Sequence, residues 1–403
     1  MKTGFARESI TPSVPYRMAG FDRRMEKSTG THDDLYVSCM AMISDIGEQT
    51  VFCVLDVLGT DRAMSERISS AIAADAVWVS ATHTHAAPSA VFSQGIWSDP
   101  DYQTYVIEKC RLAAARAFSN VKETAVSRAV TKVCGIASVR NVARGTSDFE
   151  MPLAAWRFDC GDEQPIMMVR YQCHPTVMNE KNLLYSSDLV YGVRKMLPES
   201  TLLMNGACAD LSTRYTRRES SFAEAERLGA LLAEAVREAE YINDPEFGRT
   251  ISLRKQTLSL HRGAGLNGSE RERLIRYFIE KSEDCSDENE KREYDSILCV
   301  LTGEVKAEEP DRQVTLTVAN FGSMALVGLP FEIRHNDALR IERELTVCAG
   351  KPVLAVAYCG GYDGYLASGD PLGENSSYED FASRYMPETR ERILNVLKQM
   401  IGG

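Results

Sequence analysis

The chain has six histidines, and three of them follow directly on strand-like runs. His83 and His85 come after Val77-Trp78-Val79-Ser80-Ala81, and His174 after Met167-Met168-Val169-Arg170-Tyr171-Gln172-Cys173. Residues i and i+2 of an extended segment point the same way, so His-x-His lets two imidazoles converge on one ion. A third His and a carboxylate from other strands would complete a zinc-like site, with a position left open for water or a substrate carbonyl. The same histidines also fit a plainer role, capping a strand or donating to a backbone carbonyl. Three further strand-like runs end in polar groups. Leu202-Leu203-Met204 leads into Asn205, Asp210 and Ser212; Ala325-Leu326-Val327 leads into Glu332; Val353-Leu354-Ala355-Val356-Ala357 leads into Tyr362 and Tyr365. On spacing alone, Glu332 reads equally as a surface carboxylate, and the tyrosines as packing at a Gly-rich turn.

Polar groups delivered at five strand ends need a sheet whose carboxyl edge they share, the edge where open α/β sheets bind ligands. Residues 50–58 form an apolar, β-branched run containing Asp56. Residues 62–74 have helical spacing at Met64, Ile68 and Ile72, and 76–81 read as a strand again. Strand, helix and strand in so short a span predict a βαβ unit with a parallel pair and a right-handed crossover. Residues 101–118 read as the next helix. Ser221-x-x-Glu224 has the capping-box form and precedes one stripe of Phe222, Ala225, Leu228, Leu231, Leu232, Ala235 and Val236. Another helix is expected at 388–400. These elements predict an α/β fold: a mixed, largely parallel β-sheet core with flanking helices and the active site at the carboxyl ends of the strands. Residues 265–311 are interrupted by charge, among them Glu283, Asp284, Glu288, Glu290, Lys291 and Arg292. They read as a helical insertion, either a solvated hairpin or a lid over the site. No internal repeat and no linker composition is visible, so residues 1–403 are expected to form a single catalytic domain with this insertion.

Composition narrows the function. Lys and Arg total 46 against 57 Asp and Glu, a net charge of -11, with no basic run. That disfavours nucleic acid and anionic lipid as partners. No stretch reaches the roughly 20 apolar residues that span a bilayer, so no stable membrane insertion is expected. The N-terminus lacks the apolar core of a secretory signal, which predicts a cytoplasmic protein. Eleven cysteines form no C-x-x-C pair and read as buried reduced thiols rather than disulfides or a zinc cage.

Several of these segments match one family. Thr82-His-Thr-His-Ala-Ala-Pro88 resembles the T-H-T-H-S-x-P motif of the neutral/alkaline, non-lysosomal ceramidases. His174-Pro-Thr-Val-Met178 resembles their H-P-T-x-M, and Ser186-Ser-Asp-Leu-Val-Tyr-Gly192 the S-A-D-Y-P-G region that follows it. The similarity begins at Phe5-Ala-Arg-x-x-Ile10-Thr-Pro12 and Met18-Ala-Gly-Phe21 and runs to the Tyr-rich stretch near 365. It implies that His83, His174, Glu332 of Leu329-Pro-Phe-Glu332 and a tyrosine of Gly361-Tyr-Asp-Gly-Tyr-Leu366 hold Zn2+, Tyr365 being favoured over Tyr362. It places His85 beside the metal as general acid or base, and Arg140 of Ala137-Ser-Val-Arg-Asn141 on a substrate carbonyl or oxyanion. The family's G-D-V-S-P-N motif reads here Ala209-Asp-Leu-Ser212-Thr-Arg214: Asp210 and Ser212 are kept, and the Gly and Pro-Asn are replaced. Arg214 then puts a cation beside the turn, facing either a substrate carboxylate or solvent. The C-terminal β-sandwich of the ceramidases is expected to be absent.

The expected function is a zinc-dependent hydrolase of an amide (N-acyl) bond acting on a soluble or short-chain small-molecule substrate. Zinc would polarise the carbonyl, and Ser212 would either take the acyl group or orient it. The alternatives are a true ceramidase acting on long-chain ceramide and a metal-containing binding protein without turnover. Two loops bear on size. Val91-Phe-Ser-Gln-Gly-Ile-Trp97 is apolar enough to line a lipid groove, whereas residues 369–377 are polar and turn-forming. Nothing in the sequence fixes the oligomeric state.

Overall fold

The computed structural model describes residues 1–21, 23–141, 149–304, 309–366, 371–386 and 388–402. The start of the polar turn at 369–377 lies outside the described residues.

One arrangement recurs three times along the chain. The first unit comprises β1 (Lys2–Ser9), β2 (Tyr36–Ile43), β3 (Gln49–Leu55), α1 (Arg62–Ala71), β4 (Ala76–Ala81) and α2 (Pro100–Ser119). The second repeats it with β5 (Ala125–Val133), β6 (Met151–Asp159), β7 (Ile166–Tyr171), α3 (Leu189–Arg194), β8 (Thr201–Asn205) and α4 (Phe222–Glu238). In the third, β9 (Ser252–Arg262) is followed by the inserted helices α5 (Gly268–Asp284) and α6 (Glu288–Thr302). Then come β10 (Glu309–Asn320), β11 (Ala325–Gly328), α7 (His335–Ala349), β12 (Val353–Val356), the short α8 (Tyr378–Ala382) and α9 (Thr389–Gly402). The sheet orders correspond: β4-β3-β2-β1, β8-β7-β6-β5 and β12-β11-β10-β9. In the first two units a two-residue strand after the second helix, Lys122–Glu123 or Ile242–Asn243, extends the edge beside β1 or β5. The recurrence lies in topology and not in side-chain identity, so the sequence shows no repeat.

The expectation of a largely parallel core needs correction. Each sheet has one parallel pair, β3 with β4, β7 with β8 and β11 with β12, and its other pairings are antiparallel. The physical reason is the connection. Within these three sheets only the strands joined through a crossover helix run parallel, whereas β2 and β3 are joined by a short turn that forces reversal. The βαβ reading of residues 50–81 describes one such pair correctly.

Alternation along the strands divides the core. Phe52, Trp78, Trp156, Phe158, Phe321 and Leu326 point into one cluster shared by the three sheets. On the opposite faces, Val51, Cys53 and Leu55 meet Met64, Ile68 and Val106 of the first two helices. Val327 and Ala355 of the third sheet meet Ile341 and Leu345 of α7 and Ile393 and Leu397 of α9. Burial on both faces makes these strands read as continuous apolar runs. Ser221 caps α4 as its sequence signature predicts, its Oγ accepting from Glu224 N–H at 3.1 Å. The insertion is a helical pair with its own core of Leu274, Phe278, Ile297 and Leu301, closed by Phe381 of α8. All eleven cysteines are free thiols, six of them buried. No helix among the described residues is long and apolar enough to cross a membrane.

Candidate active site

The carboxyl ends of the three parallel pairs meet at one place. His83 and His85 follow β4, His174 follows β7, and Glu332 follows β11. Asn205, the last residue of β8, fastens these ends together. Its side-chain nitrogen donates to the carbonyls of Thr82 and Cys173, and its oxygen accepts from Cys173 N–H. The geometry strains the backbone: His83 has φ 71°, and Tyr358, stacked on its ring at 3.8 Å, has φ 57°. Such values are costly away from glycine and collect at functional sites.

Three imidazoles converge there, with one nitrogen of each of His83, His85 and His174 lying within 4.8 Å of the others. His83 Nδ1 bonds the Leu58 carbonyl at 2.7 Å and His174 Nδ1 the Cys208 carbonyl at 2.6 Å, so both rings turn Nε2 inward. Ligand histidines commonly anchor their second nitrogen in this way. Glu332 Oε2 lies 3.0 Å from His174 Nε2 and 3.6 Å from His83 Nε2, and Tyr362 donates its phenol hydrogen to Glu332 Oε1 at 2.6 Å. His83 Nε2 and His85 Nε2 are 3.4 Å apart. The separations of Glu332 Oε2 from His174 Nε2 and His83 Nε2, 3.0 and 3.6 Å, bracket the about 3.3–3.4 Å between two donors bonded to one tetrahedral zinc. The donor set therefore fits a divalent cation. The plainer role of backbone anchoring is also present, but it uses only the Nδ1 atoms.

Electrostatics prepare the same state. Burial, reinforced by Arg140, lowers His174 to about 4. Burial, with His83 and His174 adding to it, keeps His85 well below the usual histidine range. Burial alone would raise Glu332, yet His83 and His174 hold its carboxyl well below its ordinary value. A carboxylate favours protonated imidazoles and burial opposes them; for His174 burial wins. The result is neutral imidazoles at His85 and His174 beside an ionised Glu332, the protonation state that cation binding requires.

His85 differs from the other two histidines. Its Nδ1 is buried and has no protein hydrogen-bond partner among the described residues, an arrangement that costs about 1–3 kcal/mol unless something binds there. Gly20, at φ 100°, packs so close that a Cβ would stand 2.4 Å from the His85 ring, and Arg24 donates to the His85 carbonyl at 2.5 Å. The 18–21 segment thus fixes the ring.

A cavity of about 330 Å³ opens beside this cluster, bordered by His85, Ser212, Arg140 and Tyr365. Ser212 lies in a two-residue strand pairing with Ser138–Val139 and also bridges His174, and its Oγ accepts from Arg214 N–H at 3.3 Å. Arg140 Nε donates to Glu379 at 2.8 Å and Nη2 to the Tyr365 hydroxyl at 2.9 Å, with Tyr378 beneath the guanidinium. Tyr365 pairs in register with Glu332, so both side chains leave the same side of that ladder. The phenol in contact with Glu332, however, belongs to Tyr362. Asp210 does not border the cavity. Its two oxygens take the backbone N–H of His335 at 2.9 Å and His335 Nδ1 at 2.7 Å, joining the Ser212 turn to the start of α7.

Each unit also lends its connection between first and second strands to the cavity wall. Gly20 and Phe21 come from the first unit, Arg140 from the second and α6 from the third. The insertion therefore borders the site as well as the surface. Arg214 points inward, but its guanidinium is occupied by Glu293 of α6 at 2.6 Å and by the Arg140 carbonyl at 3.1 Å. Glu293, Tyr378 and Glu379 were not legible in the sequence. They sit among ordinary charged helix positions, and only tertiary packing turns them toward Arg140 and Arg214.

No protein-family model and no curated protein matches the sequence. Solved structures match the fold over the whole chain. One, described as a ceramidase complexed with C2, aligns with a TM-score of 0.78 at 12% identity, covering 100% of this chain and 74% of that one. The neutral ceramidase from Pseudomonas aeruginosa aligns with a TM-score of 0.78 at 14% identity and the same coverage, 100% and 74%. The chain shares the neutral ceramidase fold.

Proposed function

We propose that the protein is a metal-dependent hydrolase of an amide bond in a short-chain or soluble N-acyl substrate, with zinc as the cation. The observation that carries this reading is the convergence of His83, His85, His174 and Glu332 beside a cavity that His85, Ser212 and Arg140 border. His83, His174 and Glu332 hold the cation, with Tyr365, which leaves its ladder on the same side as Glu332, as the fourth ligand. A bound divalent cation supplies Lewis acidity toward the amide carbonyl.

The remaining steps belong to side chains of this protein. His85 borders the cavity and is kept neutral by burial, so it can accept a proton and return it to the leaving nitrogen. Ser212 supplies a hydroxyl to take or align the acyl group. Arg140, held by Glu379 and Tyr365, keeps further N–H groups for a carbonyl or oxyanion. Asp210, through His335, is a positioning residue for the Ser212 turn. A cavity of about 330 Å³ with a charged α6 wall supports a short acyl amide over a two-chain lipid. The test is a panel of N-acyl amides of increasing chain length, assayed before and after chelation. Turnover of short members that chelation abolishes and zinc restores is expected. No turnover across the panel, or rates rising steadily to long-chain ceramide in detergent, would contradict the reading.

A further inference from the structure

The cavity is bordered by more cations than its carboxylates neutralise. Arg140 is paired with Glu379 and Arg214 with Glu293, and Arg23 reaches Asp295 only at 3.8 Å. Arg292 reaches Glu180 only at 3.6 Å. Two cations on the wall, Arg217 and Lys291, have no carboxylate within ion-pair distance among the described residues. Arg217 stands on the same turn as Ser212. Its Nη1 donates to the Thr176 carbonyl at 2.5 Å, on the loop that begins with His174, so the guanidinium is fixed rather than trailing in solvent. Burial lowers Arg217 to about 10, with Arg292 and Arg214 adding to the effect; Asp188 and Glu180 oppose it from a distance. Asp188 itself is engaged in accepting the backbone N–H groups of Val177, Met178 and Leu189. Lys291 borders the same cavity from α6, one turn from Glu288, which also lines it.

Like charges gathered in a partly enclosed cavity repel, and an anion placed between them removes that cost. We propose that Arg217 and Lys291 form a carboxylate subsite beside Ser212 and that the preferred substrate is an N-acyl compound carrying a carboxylate. This deepens the hydrolase reading and rests on it for the acyl amide. The anion is recognised by a planar donor fork from Arg217 and a point charge from Lys291. The carboxylate can belong to the amine half, as in an N-acyl amino acid, or to the acyl half, as in a dicarboxylic monoamide.

Binding tests the subsite independently of catalysis. 4-Oxononanoate has the shape of N-hexanoylglycine with the amide nitrogen replaced by carbon, so it cannot be hydrolysed; 4-oxononanamide is its neutral counterpart. Calorimetry on the metal-loaded protein is expected to show the acid bound at least tenfold more tightly than the amide. Raised salt should shrink that difference. Arg217→Met and Lys291→Met should each reduce it, and Arg217→Lys should recover part of it. Equal affinities in the wild type, or a preference unchanged in both Met variants, would overturn the subsite. Since Lys291 lies on the surface helix, its variant keeps the test valid if Arg217→Met fails to fold. Turnover of N-hexanoylglycine against N-hexanoylglycinamide, and of a succinyl monoamide against its neutral analogue, then identifies which half carries the charge. Charge-selective binding without any turnover would support the subsite and reject the hydrolase, whereas turnover blind to charge in both pairs would reject the subsite alone.

Discussion

At the scale of single residues, the histidines divide by what their second nitrogen does. His83 and His174 anchor Nδ1 on carbonyls, and His85 leaves it free. Replacing His85 by Ala is therefore expected to leave metal content intact and to lower turnover by about 100-fold or more, the usual range for a lost general acid or base. Metal loss equal to that of a ligand variant would make His85 a ligand instead. Ser212→Ala should likewise retain metal and lose orders of magnitude in kcat, because the hydroxyl serves acyl transfer or alignment rather than coordination. A rate near wild type would reduce Ser212 to a structural residue. The role expected for Arg214 is altered by one contact: Glu293 occupies its guanidinium, and Arg217, three positions on, carries the open charge.

At the scale of elements, Asp210 and His335 show how a turn and a helix start are held in mutual register. Asp210→Ala removes the partner of a backbone N–H and a ring nitrogen and is expected to cost about 1–3 kcal/mol. It should also lower kcat more than it raises KM; wild-type kinetics at unchanged stability would refute the positioning role. The sequence made the strand ends legible, because the buried strands are short apolar runs and the polar residues that break them are the site residues. Residues 76–81 read as a strand and match Ala76–Ala81, and the cap at Ser221 is where its spacing puts it. What was not legible is pairing direction and the threefold recurrence, since both depend on which strand lies beside which. The inward turn of α6 was equally hidden. Glu293 and Lys291 look like any charges on a solvated helix until Arg214 and the cavity are placed next to them.

At the scale of the whole molecule, three copies of one topology bring their parallel edges together, so the site is a junction of three sheets rather than a cleft in one. Its buried charges link stability to pH. In the chelated protein, His174 takes a proton below about 6.5 when unfolded but only below about 4 when folded. Stability is therefore expected to fall as pH drops from 6.5 to 4, by about 3 kcal/mol from this group alone. Glu332, whose folded value is depressed, extends the loss at lower pH. Denaturant midpoints of the chelated protein at pH 7, 5 and 4 check this, and a flat profile would contradict it. Elemental analysis of the purified wild type beside His174→Ala shows whether the three strand ends hold a metal as a hydrolytic site must. One equivalent of a divalent metal, zinc, is expected in the wild type and none in the variant. Stoichiometric metal surviving in His174→Ala, or a wild type that takes up no metal from zinc-supplemented buffer, would contradict this expectation.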